Sequence, residues 1–185
     1  IIRRLLQASG AEVIHLGHNR SVAEIVDAAV QEDVQGIAVS SYQGGHTEYF
    51  RYMVDMLSEK GRGDIRVFGG GGGVIVDEEI RALHDYGVSK IYSPEDGQRL
   101  GLQGMIDDML SRASFYPGED ATQFLDKLDA RNHACLARVL TEIENSTLSD
   151  DMARQIQSNV DSAQKKIPVL GITGTGGSGK SSLTD

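Results

Sequence analysis

Cysteine is almost missing from this chain. Cys135 is the lone thiol in 185 residues. That excludes an internal disulfide and any cysteine-based zinc site, and it fits a reducing, cytoplasmic setting. A basic stripe is missing as well. Lysine and arginine number 18 against 27 acidic residues, and the net charge of −9 argues against a nucleic-acid partner. No apolar run is long enough to span a bilayer and no signal-peptide pattern is present, so no membrane partner is expected. With these classes removed, 39% apolar and 24% charged residues describe an ordinary globular chain. Its length suits one full domain and part of another.

The order of elements indicates a parallel α/β sheet. Residues 1–9 read as the end of an amphipathic helix closed by Gly10. Ala11 to Leu16 reads as a strand. Ser21 and Glu24 form a capping box for a helix through Ile25, Val26, Ala29 and Val30. Gly36 to Ser40 is a short apolar strand of the buried parallel type. Residues 41–45 lead into a helix starting near His46 or Thr47, which Lys60-Gly61-Arg62-Gly63 ends. A strand over 65–68, a helix over 77–86, a strand over 89–92 and a helix over about 98–114 follow. Such alternation makes a doubly wound, Rossmann-type sheet with crossover helices. A flavodoxin-like sheet of order 2-1-3-4-5 also needs a central strand before the first helix. The chain opens inside a helical pattern without an initiating Met and stops at Asp185 within another apparent helix. The expectation is therefore a segment of a longer protein. The expected division is 1–117 for the α/β domain, 118–166 for a helical linker after Pro117-Gly118, and 167–185 for the start of a further domain.

Five consecutive glycines, Gly69 to Gly73, follow the strand over 65–68. Residues without Cβ weaken a strand but let a bulky group approach bare backbone. In open α/β sheets ligands bind at the C-terminal ends of strands. The neighbouring strand ends carry Ser40-Ser41-Tyr42-Gln43-Gly44-Gly45-His46 and Tyr92-Ser93-Pro94-Glu95-Asp96. These three ends make one continuous wall of small, polar or glycine residues. Asp77-Glu78-Glu79 reads as a helix start favouring negative charge, and Asp107-Asp108 as a solvated face. His15, His18 and His46 read as packing or loop residues, and His84 and His133 as helix residues without a site.

Near the end, an apolar strand over 168–173 runs into Gly174-Thr175-Gly176-Gly177-Ser178-Gly179-Lys180-Ser181. This matches G-x-x-x-x-G-K-S/T in its required context. Backbone N–H groups of Gly174, Gly176, Gly177, Ser178, Gly179 and Ser182 surround phosphate in such a loop. Lys180 neutralises β/γ charge, and Ser181 is the candidate Mg²⁺ ligand. The motif does not choose between GTP and ATP.

Ser40-x-Tyr42 with Gly45-His46, then Gly72-Gly73-Val74-Ile75, then Ile91-Tyr92-Ser93-Pro94, resembles the cobalamin-binding domain of adenosylcobalamin-dependent acyl-CoA mutases. The resemblance covers nearly all of 1–114. It implies that Ser40 hydrogen-bonds the benzimidazole nitrogen of the cofactor tail. It further implies that Gly72 and Gly73 make room for that tail, that Tyr92 and Pro94 line its pocket, and that Tyr42, Gly45 and His46 support it. Tyr42 stands where the family has Leu, and Pro94-Glu95-Asp96 replaces its P-G-T. The family's D-x-H-x-x-G loop, which supplies the lower cobalt ligand, would fall before Ile1.

Residues 124–185 resemble the start of the G-protein chaperones that load cobalamin mutases. The order of the two regions is similar to the fused isobutyryl-CoA mutases. That resemblance implies adenosylcobalamin and GTP with Mg²⁺ as cofactors, a homodimer, and an acyl-CoA substrate bound by a domain outside this chain. No catalytic residue is then expected in this segment. A methylmalonyl-CoA type mutase, a corrinoid methyltransferase module, and a cofactor-free signalling domain joined to a P-loop ATPase are the alternatives.

Overall fold

A parallel ladder runs through three apolar segments. The computed structural model describes residues 1–42, 44–115, 128, 129, 131–162, 168 and 170–175. Its strands are β1 (Gly36–Ser40), β2 (Arg66–Gly70) and β3 (Lys90–Tyr92), in the spatial order β1-β2-β3. Both pairings are parallel, with Ser40 opposite Gly70 and Gly70 opposite Tyr92. Helices α1 (Ile2–Ala8) and α2 (Val22–Gln31) precede the strands, α3 (His46–Glu59) and α4 (Asp77–Tyr86) connect them, and α5 (Pro94–Ala113) follows β3.

Alternation along each strand sorts the core onto two faces. Ile37, Val67 and Ile91 join Val26 of α2, Phe50, Met53 and Leu57 of α3, and Leu83 of α4 in one buried cluster. Phe68 points to the other face, where α5 packs on β2 and β3 and carries buried Ile106. Helix α1 leans on α5 through Leu6 and a Gln103–Ser9 side-chain hydrogen bond of 3.4 Å. Each large apolar side chain enclosed here stabilises the fold by roughly 1.5–3 kcal/mol relative to exposure.

The Ser21–Glu24 capping box is present in full: Glu24 N–H donates to Ser21 Oγ at 3.2 Å, and Ser21 N–H donates to Glu24 Oε2 at 2.9 Å. Three expectations need correction. Residues 11–16 form no strand among the described residues, because a strand needs a ladder partner and β1 pairs only with β2. Strand β2 runs on through Gly69 and Gly70, since the ladder to β1 outweighs the poor strand propensity of glycine. Helix α5 begins at Pro94 rather than near 98, capped by Ser93, and kinks at Gly101 (φ 67°, ψ 175°).

Two compact units divide the chain, 1–148 and 149–185. In the first, α6 (His133–Glu144), started by an Asn132 side chain that accepts from Cys135 N–H, packs on α2. In the second, α7 (Asp150–Ser162) buries Met152. The strand expected over 168–173 is also absent from the described residues there, since 168 and 170–175 carry no regular element. No helix among the described residues is long and apolar enough to cross a membrane.

Candidate functional site

The three strands end together. Because Ser40, Gly70 and Tyr92 stand side by side in the ladder, the turns after β1, β2 and β3 form one rim. Glycine at the middle position leaves that row open at its centre. A Cβ on Gly70 would meet only the Tyr92 carbonyl oxygen, at 3.7 Å.

The other glycines divide by what surrounds them. A Cβ on Gly69 would stand 2.5 Å from both Ile91 Cδ1 and Phe50 Cζ, and one on Gly71 would run into the Ser41 carbonyl oxygen. These two are therefore needed by the packing of the protein itself. Gly72 and Gly73 have φ of +57° and +89°, a left-handed backbone in which a side chain is strained. The Tyr42 ring lies over Gly72, its Cε1 2.9 Å from an ideal Cβ, and Pro94 Cγ is 3.3 Å from the equivalent point on Gly73. The glycine run is thus not a bare floor along its length. Its open part is Gly70 with the backbone of Gly72 and Gly73, edged by Tyr42 and Pro94.

Each wall is held from behind. After β1, Gly45 precedes His46, the buried first residue of α3. His46 Nε2 lies 3.1 Å from Glu79 Oε2, and the same oxygen accepts the Val76 N–H at 3.0 Å where α4 begins. The Val76 N–H first, and His46 second, hold the Glu79 carboxyl below its usual range. An ionised carboxylate only accepts, so the proton of this pair sits on His46 Nε2. After β3, the Tyr92 hydroxyl donates to Asp108 Oδ2 at 2.9 Å, an oxygen also taken by Arg112 Nε at 2.9 Å. Burial first, and the Asp108 carboxylate next, push the Tyr92 phenol far above its ordinary value. Asp96 takes Lys90 at 2.8 Å and Arg99 at 3.0 Å while its backbone N–H caps onto Ser93 Oγ.

The structure thus brings Ser40, Tyr42, Gly45, His46, Gly72, Gly73, Tyr92 and Pro94 to one rim. Of the phosphate loop, Gly174 is described, without regular structure. Gly176, Gly177, Ser178, Gly179, Lys180, Ser181 and Ser182 lie outside the described residues.

Sequence reasoning missed three supports. Asp108 is only partly solvated and accepts the Tyr92 hydroxyl. Glu79 does more than favour a helix start, since it reaches His46. His84 accepts the Ile91 backbone N–H at Nε2, 2.9 Å away, inside the β3 wall. The i, i+4 spacing of Asp108 and Arg112 was the one readable signal, and the other partners come from separate elements.

Ser40 is exposed, beside a surface floored by glycine backbone and edged by an aromatic ring. Such a surface suits a flat heteroaromatic base. His15 and His18 are exposed, and no group of three or more His, Cys, Asp or Glu side chains that could hold a metal ion converges among the described residues.

The B12 binding domain family matches residues 1–91. Residues 1–91 belong to that family. The B12-binding domain brings with it a cobalamin cofactor. Along its whole length the chain is 58% identical to a fused isobutyryl-CoA mutase of Geobacillus kaustophilus, and 58% identical to another of Cupriavidus metallidurans. It spans only 18% and 17% of those two relatives. The 2-hydroxyisobutanoyl-CoA mutase small subunit of Aquincola tertiaricarbonis is 35% identical over 91 residues, which are 49% of this chain and 65% of that subunit. The B12-binding domain here is therefore homologous to those of cobalamin mutases, in a parallel three-stranded α/β frame.

Proposed function

We propose that this chain is the cobalamin-binding domain, the linker and the beginning of a GTPase domain of a fused acyl-CoA mutase that interconverts isobutyryl-CoA and n-butyryl-CoA. The observation carrying the reading is the register row Ser40–Gly70–Tyr92, open at its centre and continued by Gly72 and Gly73. Identity to the fused isobutyryl-CoA mutases through the phosphate-loop region supports the same order of domains.

Adenosylcobalamin, when bound, would supply radical chemistry by homolysis of its cobalt–carbon bond. The residues of this chain bind and orient. The Ser40 hydroxyl would donate to the benzimidazole nitrogen of the tail and so hold the tail in place. Gly72 and Gly73 let the flat base lie against backbone, and Tyr92 and Pro94 fix its edge. Tyr42, in the place of a Leu, offers a ring face to the base. The acyl-CoA is held by a domain outside this chain, in a homodimer. In the phosphate loop, Lys180 and Ser181 would hold the phosphates and Mg²⁺ of GTP, whose hydrolysis gates cofactor loading through the linker helices.

The test is the visible spectrum of the full-length protein mixed with adenosylcobalamin and passed over a gel-filtration column. Retained cofactor with a base-off spectrum supports the reading, and cofactor eluting free overturns it. Lys180→Ala should abolish GTP hydrolysis in the same protein, and unchanged turnover would remove the loop from the mechanism.

A further inference from the structure

Two turns wall the rim, the one after β1 and the one after β2, and they are tied at both ends. At the root the tie is backbone: Ser41 N–H donates to the Gly70 carbonyl at 2.8 Å, and Gly71 lies hard against the Ser41 carbonyl. At the outer end a carboxylate oxygen joins them. Glu79 Oε2 takes the Val76 N–H, three residues beyond Gly73, and lies 3.1 Å from His46 Nε2, the next residue after Gly45. The His46 ring is buried, with 8% of its side chain exposed. Between the two ties lie Tyr42 and Gly72.

We infer that His46 and Glu79 are positioning residues that set the gap between the two turns, and so select a corrinoid carrying the flat nucleotide base over one lacking it. The inference rests on the reading that this rim takes the cobalamin tail. A base settling on the exposed Tyr42 ring beside Gly72 meets two turns whose spacing is held at both ends, so the ordering cost of the site is met in advance. Cutting the outer tie leaves the root intact and frees the Gly72–Gly73 turn to move. Contacts to the base weaken, while contacts to the corrin ring, made elsewhere, do not.

The test compares cobalamin with cobinamide, the same corrin without the nucleotide tail, on full-length protein. Binding is read by the absorbance change on titration. His46→Ala and Glu79→Ala should each weaken cobalamin binding by about tenfold or more and leave cobinamide within about twofold. The double variant should lose no more than either single one, because both cut one tie. Glu79→Gln, which keeps an acceptor oxygen for Val76 and His46, should recover most of the cobalamin affinity. Should the alanine variants fail to fold, Glu79→Asp decides, since it keeps the acid and shortens its reach by one methylene. A cobalamin-selective loss in it supports the inference. Equal loss for both corrinoids, or no loss for either, overturns it. Wild-type protein that retains neither corrinoid overturns the underlying reading instead, and the inference with it.

Discussion

Asp33 and Arg138 lie 105 residues apart in the chain and meet at 3.0 Å in the interior. The other Asp33 oxygen takes Arg62 at 2.8 Å, and Arg62 also binds both oxygens of Asp64, at 3.0 and 3.1 Å. Both arginine side chains are almost wholly enclosed, as is Asp33 at 1% exposure. The ions thereby fasten α6 to the ends of α2 and α3.

Removing one member of such a set strands charge in a place where water cannot reach it. Asp33→Asn should destabilise the chain by about 3–5 kcal/mol in urea unfolding followed by circular dichroism. Asparagine tolerates the left-handed backbone that Asp33 adopts, φ +48°, so strain would not account for the loss. A change under about 1 kcal/mol would mean that the cluster is solvated.

Gly69 and Gly70 are adjacent in β2 but should respond oppositely to the same added methyl group. Gly69→Ala drives a Cβ to 2.5 Å from Phe50 and Ile91, an overpacking that costs roughly 1–3 kcal/mol. Gly70→Ala meets only the Tyr92 oxygen at 3.7 Å, and the melting temperature should hardly move. The affinity for cobalamin should fall in Gly70→Ala all the same, because the new methyl group enters the open row. Equal melting shifts in the two variants would contradict the assignment of Gly69 to the core and Gly70 to the rim.

What could be read from the sequence was local. The Ser21–Glu24 cap and the β1 span follow from neighbouring residues, and both appear as expected. Ala11 to Leu16 has a strand's alternation, but a ladder is a relation between segments, and no partner stands beside it. The glycine run marked the rim correctly while hiding a division of labour, since Gly69 serves the core through Phe50 and Ile91. Asp33, Arg62 and Arg138 look like surface charges in the sequence. Their burial depends on three helices meeting, which no periodicity encodes. His46 was legible as the start of a helix, its partner Glu79 was not, for the same reason.

Asp96 should give the fold an acid-sensitive component. Burial alone would raise its carboxyl. The hydrogen bonds from Lys90, Arg99 and the Ser93 N–H outweigh that and hold it at about 2, against an ordinary value of 3.8. A depressed carboxyl binds protons more weakly in the folded state. Its stabilisation is therefore complete above pH 4 and is lost as pH falls towards 2. It amounts to about 1–2 kcal/mol, allowing for screening by solvent at the partly open Arg99 side. The stability gap between wild type and Asp96→Asn should be full at pH 6 and close by about pH 2. A gap independent of pH would show that charge on Asp96 contributes nothing.

Tyr42 separates stability from binding most cleanly. The side chain is 69% exposed and rests on the backbone of Gly72, so the fold gains little from it. Tyr42→Ala should change stability by no more than about 0.5 kcal/mol. If the ring stacks on the tail base, its loss removes about 0.5–1.5 kcal/mol of aromatic contact, or roughly two- to tenfold in affinity for cobalamin. Affinity for cobinamide, which has no base to stack, should stay the same. Tyr42→Leu keeps an apolar cover over Gly72, so it should fall between wild type and Tyr42→Ala. Titration of the full-length variants with both corrinoids checks the order. Tighter cobalamin binding by Tyr42→Ala than by wild type would mean that the ring blocks the rim rather than forming its wall.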